Sequence, residues 1–357
     1  MRGPRTRVVT VSNNQNTEAR GTTDYSRYDM PDLPKNIPDL RHLVVVAGHA
    51  IWNGRDASAA SSDSEWILEP YQRNSVKTFV KHIAKGLEIA NADPSALLVF
   101  SGGRTRPQTL QSEAESYYRL ALGLTQHIPR FNTTSQESQT HDAFQPFDGS
   151  PAPPQPPSSS GTNVDLLRMT TEDYARDSFE NLLFSIARFR EFSGRYPERI
   201  TVVGYGYKKE RFVQLHARAV RWPRSRLLAD NSAPFTYVGI DDENLNGDLN
   251  KHEHEIKYRQ FEADMYGCHG KLLNIRRRRN PARRVPPYAA SAPEIADLIK
   301  WCPLPNIQLQ GLFPGWLPWD PRVRDSGLGE GARSLLAANG GRFVLNSVLP
   351  DGKRIVY

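Results

Sequence analysis

Three polar segments of this chain carry side chains that could do chemistry. The first is Ser101-Gly102-Gly103-Arg104-Thr105. Two adjacent glycines permit a tight turn with free N–H groups, and the start of a following helix adds partial positive charge. Arg104 could clamp an anion with two donors. The Gly-x-Gly-x-x-Gly and Gly-Lys-Ser/Thr patterns are absent, so this is neither a dinucleotide fingerprint nor a P-loop. A glycine turn without a ligand is the alternative. Just beyond it stand Glu113 and Glu115, which point about 200° apart on a helix, so only one can face the turn. Glu113, the nearer, is the candidate.

The second segment is Glu172 followed by Arg176-Asp177-Ser178-Phe179-Glu180-Asn181. Glu172 and Arg176 are four apart and read as an ion pair on a helix face. Buried, Glu180 and Asn181 would instead orient a loop or a ligand. The third segment is Tyr207-Lys208-Lys209-Glu210-Arg211-Phe212, in which Lys208 and Arg211 bring positive charge. His216, five residues on from Arg211, reads as a packing residue.

These segments need a frame, and the apolar pattern supplies one. Leu43–Ala47, Leu97–Phe100 and Ile200–Val203 are short apolar runs, as expected of strands buried on both faces of a parallel sheet. Each runs into glycine: Gly48-His49, Ser101-Gly102-Gly103, and Gly204-Tyr205-Gly206. In open α/β sheets such carboxyl ends share the edge where ligands bind.

Helical periodicity covers 71–91, with Val76, Phe79, Val80, Ile83 and Leu87 on one face. Further helices are expected over 111–122, 171–192 (capped by Thr170 or Thr171) and 211–222. The expected fold is a three-layer α/β, Rossmann-like sandwich with a mainly parallel sheet and a long irregular C-terminal extension. Residues 1–39 read as a disordered lead-in and 40–240 as the α/β domain. A proline-rich insertion falls at about 131–165, and 241–357 read as an extension packed on the core.

The 357 residues carry a formal charge of +7. Much of that surplus sits in Lys271–Arg284, where Arg276, Arg277, Arg278 and Arg279 stand in a row without an acid. Such a run reads as a solvated loop, or as a contact for a protein or RNA partner. It lacks the interleaved aromatics of a single-strand binder. Two cysteines, Cys268 and Cys302, are too few for a disulfide framework and fit a reducing compartment. No apolar run approaches the ~20 residues that span a bilayer, and no signal peptide is visible, so no membrane partner is expected. The expected compartment is the cytosol. Arg2, Arg5 and Arg7 before the first acid, Glu18, leave a mitochondrial presequence as the alternative.

Residues 242–253 fit the twelve-position calcium-loop template but lack an entering helix, so a polar surface loop is expected. His252, His254, Cys268 and His269 match no standard zinc spacing. No metal site is therefore assigned, and no cofactor can be named.

Gly48, Ser101-Gly102-Gly103, Ser112-Glu113-Ala114-Glu115, Ser178-Phe179-Glu180-Asn181 and Arg211, in this order, resemble the YdcF/SanA/ElyC-like family, a domain of unknown function. The resemblance covers about residues 42–222. Lys208 stands where that family usually has histidine, and Ala175 and Asp177 replace its serine and asparagine. The His49-Ala50-Ile51-Trp52 loop and the long tail look like its soluble eukaryotic, chiefly fungal, branch. Bacterial members are linked to cell-envelope biogenesis and one to S-adenosylmethionine, neither of which transfers here. The resemblance implies a Rossmann-like fold with a polar site at the strand ends.

Residues and resemblance together predict that a phosphate- or carboxylate-bearing metabolite binds there, with hydrolysis or transfer as the class of any reaction. Gly48, Ser101, Gly102 and Gly103 would donate hydrogen bonds. His49, Arg104, Lys208 and Arg211 would supply charge or further donors, and Glu113, Glu180 and Asn181 would orient them. Whether the protein is an enzyme is left open, because no nucleophile with an evident base is legible. The alternative is a noncatalytic interaction protein that uses 271–284.

Overall fold

The computed structural model describes residues 39–126, 166–223, 234–242, 247–304 and 311–320. The expected N-terminal lead-in (but for residue 39) and the proline-rich insertion lie outside them.

The three apolar runs form strands β1 (His42–Ala47), β4 (Ala96–Ser101) and β6 (Arg199–Gly204). They lie side by side in a five-stranded parallel sheet, β4-β1-β6, extended by one further strand on each side. Its edges are β5 (Met169–Glu172) and β7 (Phe235–Gly239), while β2 (Ile51–Trp52) and β3 (Trp66–Ile67) make a separate antiparallel pair. Every residue of β1 is buried, as a central strand covered on both faces requires. One face carries α1 (Val76–Ala92) and α2 (Glu113–Gln126), whose Phe79, Ile83, Tyr117 and Leu120 pack on Val44, Val46, Leu98 and Phe100. The alternate strand residues face the other way, where α3 (Ser178–Ser193) buries Phe179, Leu182, Leu183 and Ile186. The fold is a three-layer Rossmann-like sandwich.

Two helices start later than their periodicity suggests, each for a local reason. Asn74 takes the left-handed conformation (φ 66°), which interrupts the chain before α1. Residues 169–172 are not the first turn of α3 but strand β5, paired in parallel with Leu98–Ser101. Asp177, not a threonine, caps α3, its carboxylate accepting from the Glu180 N–H at 2.9 Å. Gly194 closes the helix at φ 77°. The segment Arg211–His216 is π-helical and only then continues as the single turn α4 (Ala217–Ala219).

Beyond β7 come α5 (Gly247–Ala263), α6 (Gly270–Arg278), α7 (Tyr288–Ser291) and α8 (Ala296–Lys300). These elements and the segments between and after them complete the core: Tyr266, Leu272, Tyr288, Leu317 and Trp319 are buried. Helix α5 takes in residues 247–253, seven of the twelve positions of the calcium-loop template, and residues 243–246 lie outside the described residues. The basic run is loop only in part, since residues 271–278 belong to α6. The two cysteines also depart from expectation. Cys268 and Cys302 form a disulfide with Cα atoms 5.9 Å apart, so cysteine usage no longer argues for a reducing compartment. Among the described residues no helix is long and apolar enough to cross a membrane.

Candidate functional site

The strand order reverses direction at β1 and β6, which makes their carboxyl ends the switch point of the sheet. A cavity of about 620 Å³ opens there. Gly48 and His49 reach it from β1, Tyr205, Lys208 and Arg211 from β6, Glu113 from the start of α2, and Asp177, Ser178 and Asn181 from the start of α3. The C-terminal elements close the far wall with Lys257, Phe261, Leu272, Ile275 and Arg279.

Six of the expected site residues therefore meet: Gly48, His49, Glu113, Asn181, Lys208 and Arg211. Ser101, Gly102, Gly103, Arg104 and Glu180 do not line the cavity; the bonds of all but Arg104 account for this, and the buried Arg104 Nε has no hydrogen-bond partner among the described residues. Gly48 N–H donates to Ser101 O at 2.7 Å, Gly102 N–H to Glu172 O at 2.9 Å and Gly103 N–H to Ala175 O at 2.7 Å. The amides of Gly48, Gly102 and Gly103 are thus not left for an anion. Their smallness serves Glu113 instead. A Cβ at Gly102 would lie 2.8 Å from Glu113 Cβ, and one at Gly103 would lie 2.7 Å from Ala175 O. Thr105 donates to the Glu113 carboxylate at 2.5 Å. Glu115 is exposed.

Ser101 is a structural pin. Its hydroxyl donates to Glu172 Oε2 at 2.6 Å and accepts from Asn181 Nδ2 at 2.9 Å. Glu172 is fully buried, and burial pushes its carboxyl up to about 8 despite donors from Ser101, Tyr174 N–H and Tyr288. It makes no ion pair with Arg176. That guanidinium goes to Glu180, with Nε 2.8 Å from the carboxylate, and the buried Arg276 lies 3.3 Å from the same group. Arg276 also reaches Asp177 at 2.6 Å. Against burial, which alone would raise it, Arg276 holds the Asp177 carboxyl low.

The basic run is therefore divided. Arg276 is consumed inside, Arg279 turns to the cavity and donates to Arg176 O at 2.9 Å, and Arg284 lies 4.1 Å over the Tyr174 ring. Arg277 and Arg278 are exposed. Sequence reasoning missed Arg279 and Lys257 as cavity residues, because no spacing links them to the strand tips.

His49 is where the electrostatics of the cavity register. Its ring packs against Phe79, His82 and Tyr205 at centroid distances of 5.4, 5.5 and 5.0 Å. Lys208 Nζ lies 3.2 Å from its Nδ1, which therefore accepts, leaving the proton on Nε2. Burial drives its pKa well below the ordinary value, and Lys208, His82, Arg279 and Arg211 push the same way. The imidazole is held neutral, by burial first and by the nearby cations second. Opposite, the Asp242 carboxylate accepts from Ser75 at 2.9 Å and Tyr205 at 3.3 Å.

Cys302 Sγ lies 3.3 Å from His269 Nε2, and with Cys268 these are the described residues grouped closely enough to suggest a metal. The sulfurs are bonded to one another, so they offer no thiolate pair. The side chains of His252 and His254 lie outside the described residues.

The chain is a Rossmann-like α/β protein whose switch-point cavity is lined by Lys208, Arg211, Lys257 and Arg279 together with Glu113, Asp177 and Asp242. The chain is 30% identical over 277 residues to the uncharacterized protein YOR238W of Saccharomyces cerevisiae, covering 69% of this chain and 86% of that protein. It belongs to the same family as that yeast protein. No protein-family model matches the chain, and no solved structure matches it.

Proposed function

We propose that this protein binds a phosphate- or carboxylate-bearing small metabolite in the cavity at the strand ends, as a YdcF-like protein. One observation carries the reading: Lys208, Arg211, Lys257 and Arg279, from the β6 edge, α5 and α6, converge on one cavity. Cations gathered in a concave, partly desolvated site focus potential on an anion. The depressed His49 pKa registers the same field, since three of these four cations contribute to it. The meeting of Gly48, Glu113, Asn181 and Arg211 at one edge supports the YdcF-like assignment.

The metabolite's anionic group sits near Lys208 and Arg279, while Tyr205, Tyr207 and Phe261 offer apolar wall to the rest. Titration calorimetry with phosphate, pyrophosphate and citrate tests this. The wild type binds at least one of them, and Lys208→Ala with Arg279→Ala weakens it by about tenfold or more. Failure of all three to bind, or affinity indifferent to both substitutions, overturns the reading. Binding through residues 271–284 is the weaker alternative, because Arg276 is buried and Arg279 faces the cavity.

A further inference from the structure

The same cavity wall holds a hydroxyl in contact with an imidazole. Ser178 Oγ lies 2.8 Å from His216 Nε2, with Ser178 lining the cavity and His216 fully buried behind it. We propose that Ser178 is a nucleophile and His216 its general base, acting on a carboxylic ester or thioester of an anionic metabolite. The substrate class rests on the anion-binding reading above; the dyad itself rests on its own geometry.

Several features set this serine apart from its neighbours. Ser101 gives its proton to Glu172, and Ser75 gives its own to Asp242. Ser178 instead lies against an imidazole nitrogen, 2.8 Å from His216 Nε2. Burial keeps His216 well below the ordinary imidazole pKa, with Arg211 adding to the shift, so the ring is neutral at pH 7. In the tautomer protonated at Nδ1, which the proposed step uses, the Nε2 lone pair accepts the hydroxyl proton. Nδ1 has no hydrogen-bond partner among the described residues, which makes this a dyad rather than a triad. The ring is instead held by Phe212, Phe179 and Phe261, at centroid distances of 5.1, 5.9 and 4.7 Å. The Asp177 charge favours the imidazolium as it forms.

The surroundings suit acyl transfer. Ser178 opens α3, and Asp177 satisfies the N–H groups of Glu180 and Asn181 but not those of Ser178 and Phe179. Those two amides have no backbone partner among the described residues and adjoin the nucleophile, as an oxyanion site requires. The π-helical segment bears on both functions, because Arg211 at its start lines the cavity and His216 at its end backs Ser178. Such segments are rare and recur at functional sites.

In the proposed step, Ser178 Oγ bonds to the carbonyl carbon as its proton passes to His216 Nε2. The tetrahedral adduct then expels the alcohol or thiol, which takes that proton. Water, deprotonated by His216, attacks the acyl-serine, releasing the carboxylic acid and restoring the hydroxyl.

A fluorophosphonate probe on the full chain tests the dyad: the Oγ–P bond forms, P–F breaks, and fluoride leaves. Intact mass should show one adduct, mapped to Ser178, absent in Ser178→Ala and formed about 100-fold more slowly in His216→Gln. Should His216→Gln fail to fold, Ser178→Cys decides. Its thiol should react with iodoacetamide faster than free cysteine, and an ordinary rate counts against the base. No wild-type adduct, or one that persists in Ser178→Ala, overturns the proposal. Phosphate binding measured on the same sample separates the two readings. Binding without an adduct defeats the dyad alone, whereas an adduct without binding defeats the anionic substrate alone.

Discussion

Glu113 lies so close to Gly48 that a Cβ added there would come within 2.8 Å of Glu113 Cβ and 3.2 Å of Ser101 O. The glycine after the central strand is there to admit a carboxylate, not to present an amide. Gly48→Ala must therefore displace Glu113 or the β4 tip. The expected loss is about 1–3 kcal/mol in denaturant unfolding. A variant as stable as wild type would show that the strand tips have more room than this packing allows.

Glu172 should make stability fall as pH rises. Its folded pKa is raised from 4.5 to about 8, so the native state holds more protons than the unfolded chain between those values. Its contribution is complete below pH 4.5 and is lost on approaching pH 8. Glu172→Gln, which keeps an acceptor for Tyr174 N–H, should flatten the unfolding free energy between pH 5 and 8 as followed by urea titration. An unchanged slope would mean that its donors keep the carboxyl ionised.

Arg276 and its exposed neighbours should behave oppositely. Arg276→Ala leaves the Asp177 and Glu180 carboxylates buried beside an empty site, at a cost of about 3–5 kcal/mol. Arg277→Ala and Arg278→Ala, both at exposed positions, should stay within about 0.5 kcal/mol of wild type. Equal effects in thermal melts would place α6 differently from its position here.

His49 should titrate higher without its neighbouring cation. Lys208→Met removes the positive charge 3.2 Å from Nδ1, while burial still holds the pKa below the ordinary value. Imidazole proton shifts in NMR should show an upward move that stops short of 6.5. A fall would reverse the assigned direction of the field.

The Cys268–Cys302 bond closes a loop of sequence separation 34, and in the chain-entropy model it stabilises by roughly 3–4 kcal/mol. Reduction, or Cys302→Ser, should lower the melting temperature and raise amide exchange across 264–304. Exchange unaltered by reductant would mean that the packing of Tyr266 and Leu272 holds the segment unaided.

The sheet was legible in the sequence because burial on both faces demands continuous apolar runs, and Leu43–Ala47, Leu97–Phe100 and Ile200–Val203 have no other use. Their glycine ends located the cavity for the same reason. Edge strand β5 escaped notice, since Met169-Thr170-Thr171-Glu172 carries no such run and its pairing with β4 is decided across the sheet. The amides of Gly48, Gly102 and Gly103 illustrate the limit: sequence shows that these turns are tight, but only the packed chain shows which carbonyls take the N–H groups. Ser178, His216, Lys257 and Arg279 stand 22 to 101 residues apart in sequence along the site wall. No local periodicity links such positions, because long-range proximity is set by how α3, the π-helical segment, α5 and α6 pack on the sheet.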